Sequence, residues 1–344
     1  MDTQAIIDCC LSHGFASAGI AQAEKSRHSS SLEQWLAQGK QGEMEWMKRN
    51  VDIRLDPRNL LDGAKSVICV ADRYGGIDEP ALASGHGRIA RYARGKDYHK
   101  VMKKRLHNVC DTLRGRFPED VFRGCVDTAP LLEREFASNA GLGAIGKHTL
   151  LIEQGIGSWL LLGAIVTTAK LTPTVTYQQD PCGSCTRCID ACPTDAIAPW
   201  SVNARKCISY LTIEHRSEIS SDLFSGVGNW LFGCDVCQEV CPHNQPTTRG
   251  GDAPLNDSYS PERTSLDVIE VLQWDEEERR KQFQSSSMKR AKLGMMRRNA
   301  VIVAGNLLRH SVDARLLVAL KTIASEDDDE LVRNTAIAVL DQLG

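Results

Sequence analysis

Between residues 66 and 168 the chain alternates short runs of β-branched and apolar residues with longer stretches whose apolar positions recur every three or four residues. Ser66–Tyr74 (SVICVADRY), Phe122–Asp127, His148–Glu153 and Ser158–Thr168 have the length and composition of strands. From Tyr98 to Phe117, the positions Leu106, Val109, Cys110, Leu113 and Phe117 fall at helical spacing, which turns Lys103, Lys104 and Arg105 outward. Pro130–Ala140 reads as a second helix, with Pro at its start and Gly141 as its stop. These elements predict an N-terminal α/β domain over residues 1–175.

Gly141-Leu142-Gly143-Ala144-Ile145-Gly146 matches GxGxxG, but a helix precedes it and a strand follows. A dinucleotide site needs the reverse order, so that the pyrophosphate meets a helix N-terminus. The glycines read instead as a helix stop and a close backbone approach to something bulky. A polar stretch rich in Gly, Pro and Ser, from Asn244 to Arg263, reads as a linker. Beyond it, Arg298-Asn299-Ala300-Val301-Ile302 recurs 35 residues later as Arg333-Asn334-Thr335-Ala336-Ile337, a faint repeat of the HEAT-like helical kind. The expected class is α+β, with a middle segment over 176–245 and a helical segment over 246–344.

At 344 residues and 42% apolar content the chain has material for two or three cores. The N-terminus lacks a basic, then apolar, leader, and the longest apolar stretch, near Trp159–Val166, is too short to span a bilayer. A soluble, cytoplasmic and monomeric protein is expected, without membrane contact. Net charge is −3, yet Arg88 to Arg105 holds eight basic residues against Asp97 alone, and Lys289, Arg290, Lys292, Arg297 and Arg298 form a second basic run. Such local patches are what a polyanion meets.

Of thirteen cysteines, eight lie within about sixty residues. Seven read Cys182-x2-Cys185-x2-Cys188-x3-Cys192-Pro193 and Cys234-x2-Cys237-x3-Cys241-Pro242, the spacing of a two-cluster bacterial ferredoxin. Three thiolates on one tight loop cover three corners of a cube, and the Cys before Pro crosses to the other cube. The second run lacks its leading Cys, and Cys207 is the natural replacement. One 4Fe-4S cluster is therefore assigned to Cys182, Cys185, Cys188 and Cys241, the other to Cys192, Cys207, Cys234 and Cys237. Paired zinc sites would use two CxxC pairs but leave the third Cys of the first run and both Cys-Pro endings unexplained. Cys9, Cys10, Cys69, Cys110 and Cys125 sit in apolar surroundings and read as small core residues.

Clusters move single electrons, so a further cofactor in the α/β domain is expected to receive them. Asp127, at a strand end before a Pro-initiated helix, is the one carboxylate that stands out. It suits a buried, protonated acid equally with a helix N-cap.

Several motifs together resemble the epoxyqueuosine reductase family: Val126-Asp127-Thr128 with Glu133-Arg134, Gly141-Leu142-Gly143 with Gly146-Lys147, Gly95-Lys96-Asp97-Tyr98-His99, Cys182-Gly183-Ser184-Cys185-Thr186-Arg187-Cys188, and Gly233-Cys234-Asp235-Val236-Cys237. The likeness runs over nearly the whole chain. It implies a cobalamin-dependent iron–sulfur enzyme that reduces epoxyqueuosine to queuosine at the tRNA wobble position, the last step of queuosine synthesis. Electrons from an external low-potential donor would pass through two 4Fe-4S clusters to the cobalt, and Asp127 would protonate the departing oxygen.

The resemblance further implies that the corrin contacts Arg54, Ala90, Asp127, Leu151, Leu162, Ser209, His215, Cys234 and Asp235. Ala90 is a departure, since a relative carries Cys there. No Asp-x-His-x-x-Gly motif occurs, which fits base-off cob(II)alamin at rest without a protein axial ligand. Arg216, Lys289, Arg290, Arg297, Arg298 and Asn299 would face the tRNA, whose target base must be drawn out of a folded loop. Two other readings carry different expectations. A corrinoid reductase of small molecules, like the reductive dehalogenases, usually has a twin-arginine export signal and lacks the basic C-terminal segment. A non-catalytic electron carrier has no use for so large an N-terminal domain.

Overall fold

The computed structural model describes residues 2–75, 81–174, 180–245 and 255–344. A four-stranded sheet carries the N-terminal half, in the order Ser17–Gln22, Ser66–Arg73, Leu160–Thr167, Phe122–Cys125. Every pairing in it is antiparallel, with Ile20 opposite Ile68, Ile68 opposite Ile165 and Cys125 opposite Ala164. The α/β expectation is thus corrected to an antiparallel sheet with helices on both faces. Period-two alternation explains why both faces are dry: Ile68 and Val70 pack with one apolar cluster, Val67, Cys69 and Ala71 with another.

On the first face lie helices Thr3–Ser12 and Tyr98–Arg116, the latter burying Met102, Leu106, Val109, Cys110 and Leu113. Asp97 caps that helix by accepting from the His99 N–H. On the second face lies the short helix Glu133–Asn139. Cys9, Cys10, Cys69, Cys110 and Cys125 are all buried in these two cores, as their surroundings suggested. Gly141 and Gly143 have φ of 84° and 155°, and a Cβ on Gly143 would meet the Ile152 carbonyl oxygen at 2.3 Å. The bulky neighbour of Gly143 is therefore backbone, and that of Gly146 is the Ile152 side chain. The strand expected over His148–Glu153 contracts to Leu151–Ile152, paired with Ala144–Ile145.

Arg105 is not turned outward. Its guanidinium pairs with the buried Asp72 and donates to the His13 carbonyl. Arg88 pairs with Glu239, and Arg94 is 5% exposed with its Nε on the Ile89 carbonyl. Much of the first basic run is thus spent on folding.

A small sheet ties distant segments together: Trp230–Phe232 runs parallel to His86–Ile89, and Ser265–Asp267 antiparallel to it. Helices Leu293–Leu308, Ala314–Glu326 and Glu330–Leu343 close the C-terminal end. The first and last approach closely because Gly305 lies under Val339, where a Cβ would come within 2.4 Å of Val339 Cγ1. One apolar core runs through Leu211, Phe232, Val271, Ala300, Val301 and Ala336, joining the cysteine-rich segment to these helices. Part of the expected linker, residues 246–254, and the boundary near 175 lie outside the described residues.

Candidate active site

Asp127 follows the Phe122–Cys125 strand in the left-handed region, with φ of 39°. The next helix begins at Glu133 and its cap position is Leu132, so the N-cap reading of Asp127 is corrected. Glu133 holds the strained loop instead, its Oε1 accepting the Asp127 N–H at 2.8 Å. The Asp127 side chain is 47% exposed, and its Oδ2 lies 3.0 Å from His99 Nε2. His99 Nδ1 lies 2.9 Å from Asp97 Oδ1, and the imidazole stacks on Tyr98 at 3.9 Å.

Burial opposes charge on His99, but its hydrogen bonds to Asp127 and Asp97 outweigh it and lift the imidazole to about 9. Burial likewise pushes the Asp127 carboxyl up, yet the His99 contact prevails and holds it below the usual carboxylate range. The expectation of a carboxyl raised by burial is corrected. That property belongs to Glu133, which burial and the nearby Asp127 charge push up to about 8. At neutral pH the proton of this group sits on the imidazole.

The expected corrin contacts fall on two walls. Leu151 and Leu162 belong to the sheet's second core beside Ile53, while Ala90 and Cys234 share a cluster with Ile208 and Trp230. Tyr92 packs on the second of these, touching Tyr98 and Phe232, with the charges of Asp127, Asp235 and Glu214 acting on its hydroxyl. Leu151, Ala90 and Asp235 are covered, whereas Leu162, Ser209, His215 and Cys234 keep part of their surface. Asp235 accepts the Arg91 N–H at 2.7 Å, and burial lifts its carboxyl to about 6. Both ring nitrogens of His215 are engaged, with the Glu218 carbonyl at 2.8 Å and Glu43 at 3.4 Å.

Unmet polar atoms are buried in this half of the molecule. Arg54 Nε, Gln41 Oε1 and His148 Nε2 have no partner. Of these, Arg54 Nε lies within reach of the Asp127 charge, and an amide-rimmed macrocycle could satisfy it, so this residue fits a corrin.

The cysteines of this segment act on one another electrostatically in two neighbouring groups. Burial and then Cys182, Cys188 and Cys185 push the Cys241 thiol up to about 11. Cys188 is raised by burial and by Cys182 and Cys185. Burial dominates at Cys234 and Cys237 as well, with Cys207 acting on both and Cys192 on Cys234. Cys237 also senses Cys188, so the two groups are neighbours. Among the described residues no three His, Cys, Asp or Glu side chains converge on a point suited to one metal ion.

Of the residues expected to face RNA, Arg216 and Lys289 are exposed. Arg290 pairs with Glu214 and lies 5.8 Å from the Trp46 ring, which Arg54 approaches from 5.6 Å. Arg297 pairs with Asp327 and donates to the Leu272 carbonyl. Arg298 and Asn299 are wholly buried, which corrects their assignment as RNA contacts. Arg298 donates to the carbonyls of Leu211, His215 and Ser217, and Asn299 to those of Thr212 and Leu231. Sequence reasoning quoted His99 and Glu133 within motifs without giving them roles, and passed over Trp46, whose sequence neighbours Glu45 and Met47 do not mark it and whose two arginine neighbours come together only in the fold.

A ferredoxin-type cysteine segment joined to an acid–base pair defines an iron–sulfur oxidoreductase. A family model described as a 4Fe-4S double cluster binding domain matches residues 181–244, and one described as epoxyqueuosine reductase QueG matches residues 54–128. The chain is 40% identical over 329 residues to an epoxyqueuosine reductase of Xanthomonas campestris, covering 93% of this chain and 90% of the relative. It is 36% identical to one of Vibrio cholerae, covering 85% and 80%. A crystal structure of epoxyqueuosine reductase with an epoxyqueuosine-modified tRNA-Tyr stem loop superposes with a TM-score of 0.88 at 29% identity, over 98% of this chain and 88% of that one. The enzyme from Streptococcus thermophilus superposes with a TM-score of 0.86 at 27% identity, over 98% and 89%. This chain belongs to the epoxyqueuosine reductase family.

Proposed function

We propose that this protein reduces epoxyqueuosine to queuosine in tRNA. The reaction consumes two electrons and two protons, turns the epoxide into an alkene and releases its oxygen as water. The observation that carries the reading is the His99–Asp127 pair, beside the wall that holds Cys234. His99 stores a proton at neutral pH, and Asp127, open to solvent on one side, passes it to the departing oxygen.

Two 4Fe-4S clusters supply single electrons, and cobalamin supplies low-potential cobalt chemistry at the epoxide. The Cys182, Cys185, Cys188 and Cys241 set is the outer cluster, because Gly183 and Ser184 of its loop are exposed. The Cys192, Cys207, Cys234 and Cys237 set is the inner one, since Cys234 packs against Ala90 in the corrin wall. Arg54 offers its unpartnered Nε to the corrin rim, with Leu162, Ser209 and Cys234 as partly open contacts.

In this reading residues 1–175 hold the corrin, 176–245 the clusters, and 246–344 form a HEAT-like docking segment. Arg216, Lys289 and Arg290 meet tRNA phosphates, and Trp46, 38% exposed between Arg54 and Arg290, stacks on an unpaired base. No helix among the described residues is long and apolar enough to cross a membrane.

The test is anaerobic. Reconstituted protein, cobalamin and a strong reductant are given epoxyqueuosine-containing tRNA, and digested nucleosides are weighed by mass spectrometry. Loss of one oxygen, abolished in Asp127→Ala while cobalamin and both clusters stay bound, supports the reading. No conversion by fully loaded wild-type protein would refute it.

A further inference from the structure

Lys147 is 8% exposed, and its contacts lie on the cluster loop rather than at Asp127. Its ammonium donates to the carbonyls of Gly183 at 2.7 Å and Cys185 at 3.0 Å, both inside the Cys182–Cys188 run. Its backbone N–H donates to Cys182 Sγ at 3.3 Å. From outside, Trp200 covers it: the Trp200 N–H binds the Lys147 carbonyl at 3.1 Å, and the ring centroid is 5.8 Å from the ammonium. Trp200 holds this place at φ of 56°, a backbone conformation that a residue other than glycine rarely adopts.

Among the described residues no carboxylate pairs with Lys147. A buried ammonium satisfied only by neutral carbonyls is costly, because hydrogen bonds alone do not replace lost hydration. A 4Fe-4S group with four thiolate ligands is a net anion and gains one more negative charge on reduction. A fixed cation against its loop therefore stabilises the reduced state more than the oxidised state, and an N–H aimed at a ligand sulfur acts in the same direction.

We infer that Lys147 is the counter-charge of the outer cluster and sets its reduction potential upward, so that an external donor can load the first electron. It acts through the cluster, as a positioning residue of the electron path. The same contacts clasp the segment between the Ala144–Ile145 and Leu151–Ile152 strands to the cluster loop, which fixes the distance over which the charge acts.

The inference rests on the two-cluster reading and not on the RNA substrate. Its test is an anaerobic redox titration of the full-length reconstituted protein, followed by electron paramagnetic resonance. Lys147→Gln keeps an amide donor for the two carbonyls but removes the charge, and Lys147→Arg keeps the charge. The expected result is one cluster signal displaced to more negative potential in Lys147→Gln, the other unmoved, and near wild-type behaviour in Lys147→Arg. An unshifted pair of signals in Lys147→Gln at full iron content would overturn it. So would loss of iron in Lys147→Gln, which would make the residue a clasp only. Wild-type protein that holds fewer than two clusters would instead sink the two-cluster reading itself.

Discussion

His99 Nε2 lies 3.0 Å from Asp127 Oδ2, while the other nitrogen of the same ring lies 2.9 Å from Asp97. One imidazole thus joins the cap of the long helix to the end of an edge strand, at a residue 28 positions beyond His99 in sequence. The three groups titrate as a unit, with the proton resting on the middle member.

The pair predicts a pH profile. His99 carries its proton below about 9, so single-turnover deoxygenation should fall on the alkaline side near that value. His99→Gln should lower the rate by roughly 10²-fold and erase this limb. A wild-type limb retained in His99→Gln would remove His99 from the proton path.

Stability should follow the same group. The folded pKa of His99 lies above its ordinary 6.5, so the stabilisation is complete below 6.5 and is lost as pH rises through about 9. Thermal unfolding of wild type should therefore lose ground to His99→Gln between those values. Parallel curves would contradict it.

Glu133 pushed up to about 8 is neutral at physiological pH, and Gln should replace it with little loss of rate. Glu133→Ala frees the Asp127 N–H and the strained loop, and should cost about tenfold or more, the worth of one hydrogen bond to a catalytic segment. Equal losses in both variants would point to a charged role for Glu133.

Two arginines in neighbouring segments should behave oppositely. Arg298→Met should destabilise the fold by about 3–5 kcal/mol in urea titration, because three backbone carbonyls lose their donor. Arg216→Ala should leave stability within about 0.5 kcal/mol, yet weaken stem-loop binding and reduce its salt slope by about 1. A salt slope unchanged in Arg216→Ala would place that side chain off the RNA.

Trp46→Ala should weaken binding of the modified stem loop by about 1–3 kcal/mol, with Trp46→Phe in between and cobalamin uptake unchanged. Impaired cobalamin uptake with normal RNA binding would move Trp46 to the corrin wall.

What could be read from sequence was local or periodic. The strand Ser66–Arg73, the strand Leu160–Thr167 and the helix Tyr98–Arg116 announce themselves by apolar spacing, and cysteine spacing divides the ligands into two sets before any coordinates are known. Ser17–Gln22 escaped because SAGIAQ is short and built of small residues, with only Ile20 as a strong strand former. Antiparallel pairing was hidden because composition does not encode strand direction. Arg298 looked like a phosphate contact because a basic run carries no mark of which member faces inward. Its carbonyl partners lie 81 to 87 residues earlier, and only tertiary packing brings them there. His99 and Asp127 were invisible as a pair for the same reason.

The packing of Asn299 and Gly305 has a consequence for how the molecule opens. Asn299 stitches the Leu293–Leu308 helix to Thr212 and Leu231, and Gly305 lets Val339 of the last helix settle onto it. The last helix, the repeat-bearing helix and the Ile208–Ile213 helix next to Cys207 should therefore share one slow amide-exchange rate, as a single cooperative unit. A protease cut that removed the last helix would not trim an appendage. On the two-cluster reading it should loosen the Ile208–Ile213 helix beside Cys207 and slow electron transfer through the inner cluster.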